Sequence, residues 1–484
     1  MSAWHRNHGT AGKTHAPSSA AVRIVASAVA TALVFGCFTA IHRYARTGGD
    51  ERADVTVRVA RQNVQLLAPD VDTSTSIDAA AVQPLLDAYA QSAGVGTTYS
   101  IAVMDAQGNV IAGHEPDTAR EPASTTKTLT AFAAASALDL YSTLDTQVYV
   151  TGAADAKGAA TIVLKGNGDV LLGTGANDAS HINGRAGIAT LVQRTVTALA
   201  AQGITSVTLE YDDSLFGSKR LPDGIEQTDE DYIYEMPASS MAIDMDRQWG
   251  GVTNPDPDHI MNYPTKTDTP ALNVATEFAS QLAAAGVTVS NADAPASVQT
   301  TGDATMIASV QSAPLWEVMR FMLKNSSNTL AEEFGRLVAI KTGAENSPEG
   351  AVKAVTQIVQ DAGIKTDGLS LRDCSGLTLG TRISATTLAD VQRHLVLLQQ
   401  EDSAPVMEGE LLAGVDRPHA PYDHSIYGSM MTKTGTQDNV RSLCGTIVTK
   451  DGGVVFFAIV CVDMGDWSAA GAANDVFASG LAML

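Results

Sequence analysis

The segment EPASTTKTLTAFAAASAL, residues 121–138, decides how the rest of the chain is read. Pro122 precedes an alanine-rich helix whose small residues fall on every side, the pattern of a helix buried all round. At its start stands one S-x-x-K, Ser124 to Lys127. An i,i+3 spacing brings the Lys127 amine within reach of the Ser124 hydroxyl. The helix N-terminus adds partial positive charge where an alkoxide or oxyanion would develop. A lysine takes up a proton only when neutral, which burial and a neighbouring cation promote. The same four letters also describe an N-capping serine followed by a solvated lysine. The rest of the chain has to choose between the two.

Two further patterns bear on that choice. Lys324-Asn325-Ser326-Ser327-Asn328 holds S-x-N at the mouth of a helix, where Ser327 or Asn328 could equally serve as a cap. K-T-G occurs twice. Lys341-Thr342-Gly343 closes the helix that starts near Asn328, and glycine is an ordinary helix stop there. Lys433-Thr434-Gly435-Thr436 instead follows the strand-like SIYGSMMT and leads into a hairpin, Val440–Val448 and Val454–Val462 about Asp451-Gly452. Only a triad on an exposed strand can present Lys, Thr and backbone N–H groups to a groove. The functional assignment therefore goes to Lys433, and Lys341 is a helix end. No G-x-S-x-G elbow occurs, so an α/β-hydrolase nucleophile is unsupported.

Composition bounds the answer from outside. The 484 residues are 45% hydrophobic and 17% charged, with 41 Gly, 4 Cys and a formal charge of −22. That length allows two or three domains. The acidity argues against nucleic acid as a partner, which needs a basic face. Residues 1–50 run against the trend, with Arg6, Lys13, Arg23, Arg43 and Arg46 against Asp50 alone. Between Arg23 and Arg43 the chain is uncharged from Ile24 to Ile41, about 27 Å as a helix and enough to cross a bilayer. An uncleaved anchor, a cleaved signal peptide and a lipoprotein signal ending at Cys37 compete for this stretch. The anchor is favoured, with a cytoplasmic N-terminus at 1–23 and everything beyond residue 42 outside the cytoplasm. Cys374, Cys444 and Cys461 read as small buried hydrophobes, since no CxxC pair is present. His419, Asp423 and His424 lie in a loop-like PHAPYDH without metal-site spacing, and neither a metal nor an organic cofactor is expected.

Along the chain, residues 42–76 read as a stalk. Strand-like Thr98–Met104, the helical middle and the terminal hairpin suggest one antiparallel sheet built from both chain ends. Residues 146–304 are strand-like and rich in Gly and Asp, and form an inserted, mainly β domain or pair of nested subdomains. It splits the main domain into 77–145 and 305–484.

S-x-x-K, S-x-N and a strand K-T-G, in that order, are the signature of penicillin-recognising serine enzymes. The sequence resembles one branch of them, the serine D-alanyl-D-alanine carboxypeptidase/endopeptidases or class C low-molecular-mass penicillin-binding proteins. The likeness runs over residues 77–484 through PASTTK, GNGD (166–169), MPASSMAID (236–244), MLKNSSN (322–328), DCSGL (373–377), MTKTGT and VRSLCG (440–445). It departs in S-S-N for the commoner S-D-N, and in Cys374 where glycine is frequent. The resemblance implies an α+β fold, an antiparallel sheet flanked by helices, with the extra domain in the insertion. It implies that Ser124 is the nucleophile, Lys127 its base, and Ser326, held by Asn328 and Lys433, the relay to the leaving amine. N–H groups of Ser124 and Thr436 would form the oxyanion hole; Lys433, Thr434 and Thr436, with Gly435 between them, would hold the terminal carboxylate. The implied partners are peptidoglycan stem peptides, β-lactams and, through residues 24–41, the cytoplasmic membrane. A β-lactamase on the same fold would leave the insertion unexplained, and a non-catalytic penicillin sensor would not need all three motifs. Local burial and the Lys433 charge would have to outweigh the acidity of the whole chain for Lys127 to be neutral.

Overall fold

The structure, a computed structural model, describes residues 73–75, 77–252, 256–260, 262–300, 302–397, 404–416 and 424–484. The apolar segment 24–41, the stretch before it, nearly all of the stalk and most of PHAPYDH lie outside these residues. Among the described residues no helix is long and apolar enough to cross a membrane.

Helix α1 (Ala79–Ala90) leads to β1 (Tyr99–Met104) and β2 (Val110–His114); a 3₁₀ turn (Ala123–Thr126) then runs into α2 (Lys127–Ala137). Next come β3 (Asp145–Thr151), β4 (Ala159–Gly166), β5 (Asp169–Leu172), α3 (Ile188–Ala201) and β6 (Ser206–Asp212). They are followed by α4 (Glu226–Asp229), β7 (Met241–Ile243), α5 (Pro270–Ala284), β8 (Thr288–Val289), β9 (Ala296–Ser297) and β10 (Thr305–Gln311). Helices α6 (Leu315–Asn325), α7 (Asn328–Thr342), α8 (Pro348–Asp361), α9 (Ala385–Leu397) and α10 (Ala404–Gly409) make the helical middle. The chain ends with β11 (Leu411–Leu412), β12 (Met430–Gln437), β13 (Val440–Val448), β14 (Val454–Val462) and α11 (Trp467–Ala482).

The terminal strands join the first two in one antiparallel sheet of order β11-β12-β13-β14-β1-β2. Its two faces explain why β14, VVFFAIVCV, is apolar throughout instead of alternating. Successive side chains of a strand point to opposite faces. Phe457 and Ile459 join Val82 and Leu86 of α1 and Phe477 of α11, while Phe456 and Val460 join Leu129 and Phe132 of α2 and Leu388 of α9. Both faces are therefore covered by helices, and each buried Phe contributes roughly 2–3 kcal/mol of apolar burial. The result is the α+β, helix-flanked antiparallel sheet that the motifs implied.

The segment from Asp145 to Gln311 supplies a second sheet, β10-β3-β4-β6-β8, with its own apolar cluster including Leu164, Leu209, Leu191 of α3 and Phe278 of α5. Its pairing is mixed: β3 is antiparallel to β4 and β10, and β4 is parallel to β6. A parallel pair needs a long crossover, which α3 supplies between β4 and β6. Cys374, Cys444 and Cys461 are buried thiols, as expected.

Candidate active site

Ser124 sits in the 3₁₀ turn that opens α2, directly after Ala123, whose φ of 50° is left-handed. A non-glycine residue there carries a strain of about 1 kcal/mol. The turn is held against β12 and β13: the Ser442 hydroxyl donates to the Pro122 carbonyl at 2.5 Å, and Thr125 Oγ1 lies 3.3 Å from Ser442 Oγ. Gly435 makes this approach possible. A Cβ at that position would stand 2.5 Å from the Pro122 carbonyl and 3.1 Å from the Ser124 nitrogen. The K-T-G strand thus passes its backbone beside the Ser124 amide, the geometry in which two N–H groups can converge on one oxygen.

Lys127 follows one turn later and is completely buried. Its amine donates to Ser124 Oγ at 2.9 Å, Asn328 Oδ1 at 2.6 Å and the Ser375 carbonyl at 2.8 Å. Burial, and then the Lys433 charge, bring its pKa down to about 7, while Asp373, Glu332 and Glu235 oppose them. The balance required of an acidic chain is therefore struck locally, with burial the largest influence.

Ser326 lies at the break between α6 and α7, in left-handed backbone with φ 54°. Ser327 caps α7, its hydroxyl accepting from the Leu330 amide at 3.4 Å. The capping role falls to Ser327, which leaves Ser326 Oγ to accept from Lys433 Nζ at 3.0 Å. Lys433, on β12, is buried and donates also to the Thr434 carbonyl at 2.8 Å. Burial takes its pKa to about 8. The second K-T-G is elsewhere: Lys341 is exposed in the last turn of α7, and Gly343 ends that helix with φ 73°. One placement differs from expectation. Asn328 accepts from Lys127 and does not bond Ser326, because it opens α7 on the side facing the Lys127 amine.

These groups face a groove of about 1190 Å³, whose wall includes Ser124, Ser326, Asn328, Thr434 and Thr436.

Three acids behind Lys127 escaped the sequence reading. Asp373 accepts the N–H groups of Ser375, Gly376 and Thr378, at 3.1, 2.6 and 2.5 Å, and so folds the loop that aims the Ser375 carbonyl at Lys127. Glu332, one helical turn beyond Asn328, accepts the Cys374 amide at 2.8 Å; burial, and next the Asp373 charge, push its carboxyl up to about 8. Glu235 is raised well above the usual range, first by burial and then by Glu332 and Asp373. Asp373 stood within the quoted DCSGL, and the i,i+4 spacing of Asn328 and Glu332 was the available sign that both face one amine.

Fold and groove together define a penicillin-recognising serine enzyme. The model of the D-Ala-D-Ala carboxypeptidase 3 (S13) family matches residues 82–264 and 255–479, and the chain belongs to that family. A carboxypeptidase of Mycobacterium tuberculosis is 31% identical over 408 residues, covering 80% of this chain and 84% of the relative. Carboxypeptidase DacB of Mycolicibacterium smegmatis is 30% identical over 352 residues, or 71% and 72% of the two chains. Among solved structures, penicillin binding protein 4 of Haemophilus influenzae shares the fold, with a TM-score of 0.65 at 19% identity, over 82% of this chain and 98% of that one.

Proposed function

We propose that this D,D-peptidase cleaves the terminal D-Ala-D-Ala bond of peptidoglycan stem peptides through an acyl-enzyme on Ser124. The observation that carries the reading is the fully buried Lys127 amine, 2.9 Å from Ser124 Oγ and with a pKa near about 7. Lys127 takes the Ser124 proton as Oγ attacks the carbonyl carbon of the penultimate D-alanine. The oxyanion is received by the N–H groups of Ser124 and Thr436. Ser326, hydrogen-bonded to Lys433, passes a proton to the departing amine, and the C–N bond breaks. Water then attacks the ester and frees Ser124. Lys433, Thr434 and Thr436 hold the terminal carboxylate. A β-lactam presents the same carbonyl without a leaving group that diffuses away, so its acyl adduct persists.

The substrate polymer lies outside the cytoplasm, and the enzyme acts in the cell envelope. Residues 24–41 are its membrane anchor in this reading, and the inserted domain, expected over residues 146–304, runs on to Gln311 because β10 pairs with β3. The decisive experiment is labelling with a fluorescent penicillin. Ser124→Ala should abolish the label, Lys433→Ala should weaken it severely, and Lys341→Ala should leave it intact. Label persisting in Ser124→Ala would overturn the nucleophile. Rates on a monomeric pentapeptide and on a cross-linked dimer would divide carboxypeptidase from endopeptidase action.

A further inference from the structure

Arg441 lies on β13 opposite Thr436 of β12, and Thr436 lines the groove. Three neighbours of its guanidinium bear on the groove. Nη1 donates to Thr436 Oγ1 at 2.7 Å. The guanidinium carbon stands 3.8 Å from the centre of the Trp467 ring, a cation–π contact. Beside it also lies Gly471 of α11, where a Cβ would stand 2.3 Å from Nη2. Glycine inside a helix is less favourable than alanine by up to about 1 kcal/mol. Here the missing methyl is what admits the guanidinium. Three residues on two elements thus fix one cation in one orientation.

Its consequence runs through Thr436. A threonine hydroxyl has a single hydrogen and two acceptor sites. With Arg441 donating to the oxygen, the hydrogen is left to point away, and Thr436 is exposed on the groove wall. We infer that Arg441 is a positioning residue for the substrate's terminal carboxylate: it turns the Thr436 hydroxyl into a donor facing the groove and sets a fixed positive charge behind it. The inference rests on the reading that Thr436 receives that carboxylate. A hydrogen bond polarised by a charged donor is stronger than a neutral one, and an anion pointing at it gains from the cation beyond. Trp467 and Gly471 make the arrangement selective for a planar guanidinium, which stacks where a lysine ammonium would not.

The test compares an N-acylated peptide ending in D-Ala-D-Ala carboxylate with the same peptide as its terminal carboxamide. In Arg441→Met, KM for the carboxylate should rise about tenfold to a hundredfold, the range of one charge-assisted hydrogen bond. Neither kcat nor the carboxamide rate should move appreciably. Arg441→Lys should recover only part of the loss. Gly471→Ala keeps the charge and displaces the guanidinium, so it should reproduce the Arg441→Met phenotype and stands in for it if that variant does not fold. Equal losses on both peptides in Arg441→Met and Gly471→Ala would reduce Arg441 to a packing role and overturn the inference. Thr436→Val separates the two claims. If it erases the carboxylate preference while Arg441→Met retains it, the positioning role alone fails. If Thr436→Val also retains it, the carboxylate reading fails and the role of Arg441 goes with it.

Discussion

A methyl group at Gly335 would stand 2.3 Å from Cys374 Sγ, so helix α7 and the loop behind Lys127 touch through a glycine and a thiol. The thiol occupies the place where related sequences were expected to carry glycine, and the opposing helix has given up its own side chain to receive it. Gly335→Ala should therefore overpack the contact and destabilise the protein by about 1–3 kcal/mol, despite alanine's better helix propensity. Adding Cys374→Gly should restore most of the loss. Urea melts of the single and double variants measure the coupling, and additive effects would refute it.

The two lysines set a pH window. Lys127 acts as a base only when neutral, so acylation should fall as pH drops through about 7. Lys433 holds an anion only when charged, so substrate binding should weaken as pH rises through about 8. A plot of kcat/KM against pH should be a narrow bell, with limbs belonging to the pair as a unit. Lys433→Ala removes the cation that lowers Lys127, and the acidic limb of its residual acylation should move to higher pH. A limb that moves down, or not at all, contradicts the coupling.

Glu332 should behave as a neutral carboxyl at pH 7, since burial has raised it to about 8. Glutamine reproduces that state and can still accept from the Cys374 amide. Glu332→Gln should thus acylate within about twofold of the parent at pH 7. Glu332→Ala strands a buried N–H and opens a cavity, at a cost of about 2–4 kcal/mol. Linkage adds a sign. A carboxyl raised in the folded state stabilises fully only below its unfolded value, and the contribution is lost as pH rises through about 8. Above that pH, Glu332→Gln should melt later than the parent.

Gly435→Ala drives a methyl into Ser442 Oγ, 2.1 Å away, and into the Pro122 carbonyl at 2.5 Å. β12 must then retreat from Ser124. The fold should survive because the rest of β12 keeps its pairing with β13, but a shift approaching 1 Å at the reacting atoms should lower penicillin acylation by about a hundredfold. Far-UV spectra and label kinetics, measured together, distinguish a displaced strand from an unfolded chain.

Much of the site could be read from the chain because its parts are local patterns. Ser124 and Lys127 are one turn apart, and Lys341 is told from Lys433 by the helix and the strand that carry them. The hairpin was legible to the residue, since β13 is rich in β-branched and apolar residues and β14 is a continuous apolar run, with a short turn between them. What escaped detection depends on distant contacts. The spacing of Asn328 and Glu332 places both on one face of α7, but nothing in the sequence announces that the Asp373 loop and the segment after α4 meet that face behind one amine. The mixed pairing of the second sheet was hidden similarly, because a parallel strand such as β6 differs from an antiparallel one only in what lies beside it. Asn328 meets Lys127 because S-x-N spacing fixes its helix position, while its packed partner is chosen by α2.

The pairing of β1 with β14 also bears on when the protein can first work. Residues 99–104 find their partners at 456–461, more than two thirds of the chain later. Contacts so remote in sequence close slowly, because a long loop must be ordered before they form. β12, which carries Lys433, belongs to the same late sheet. Ser124 is thus made early in synthesis, while the strands that wall its groove and complete its sheet are added only over residues 430–462.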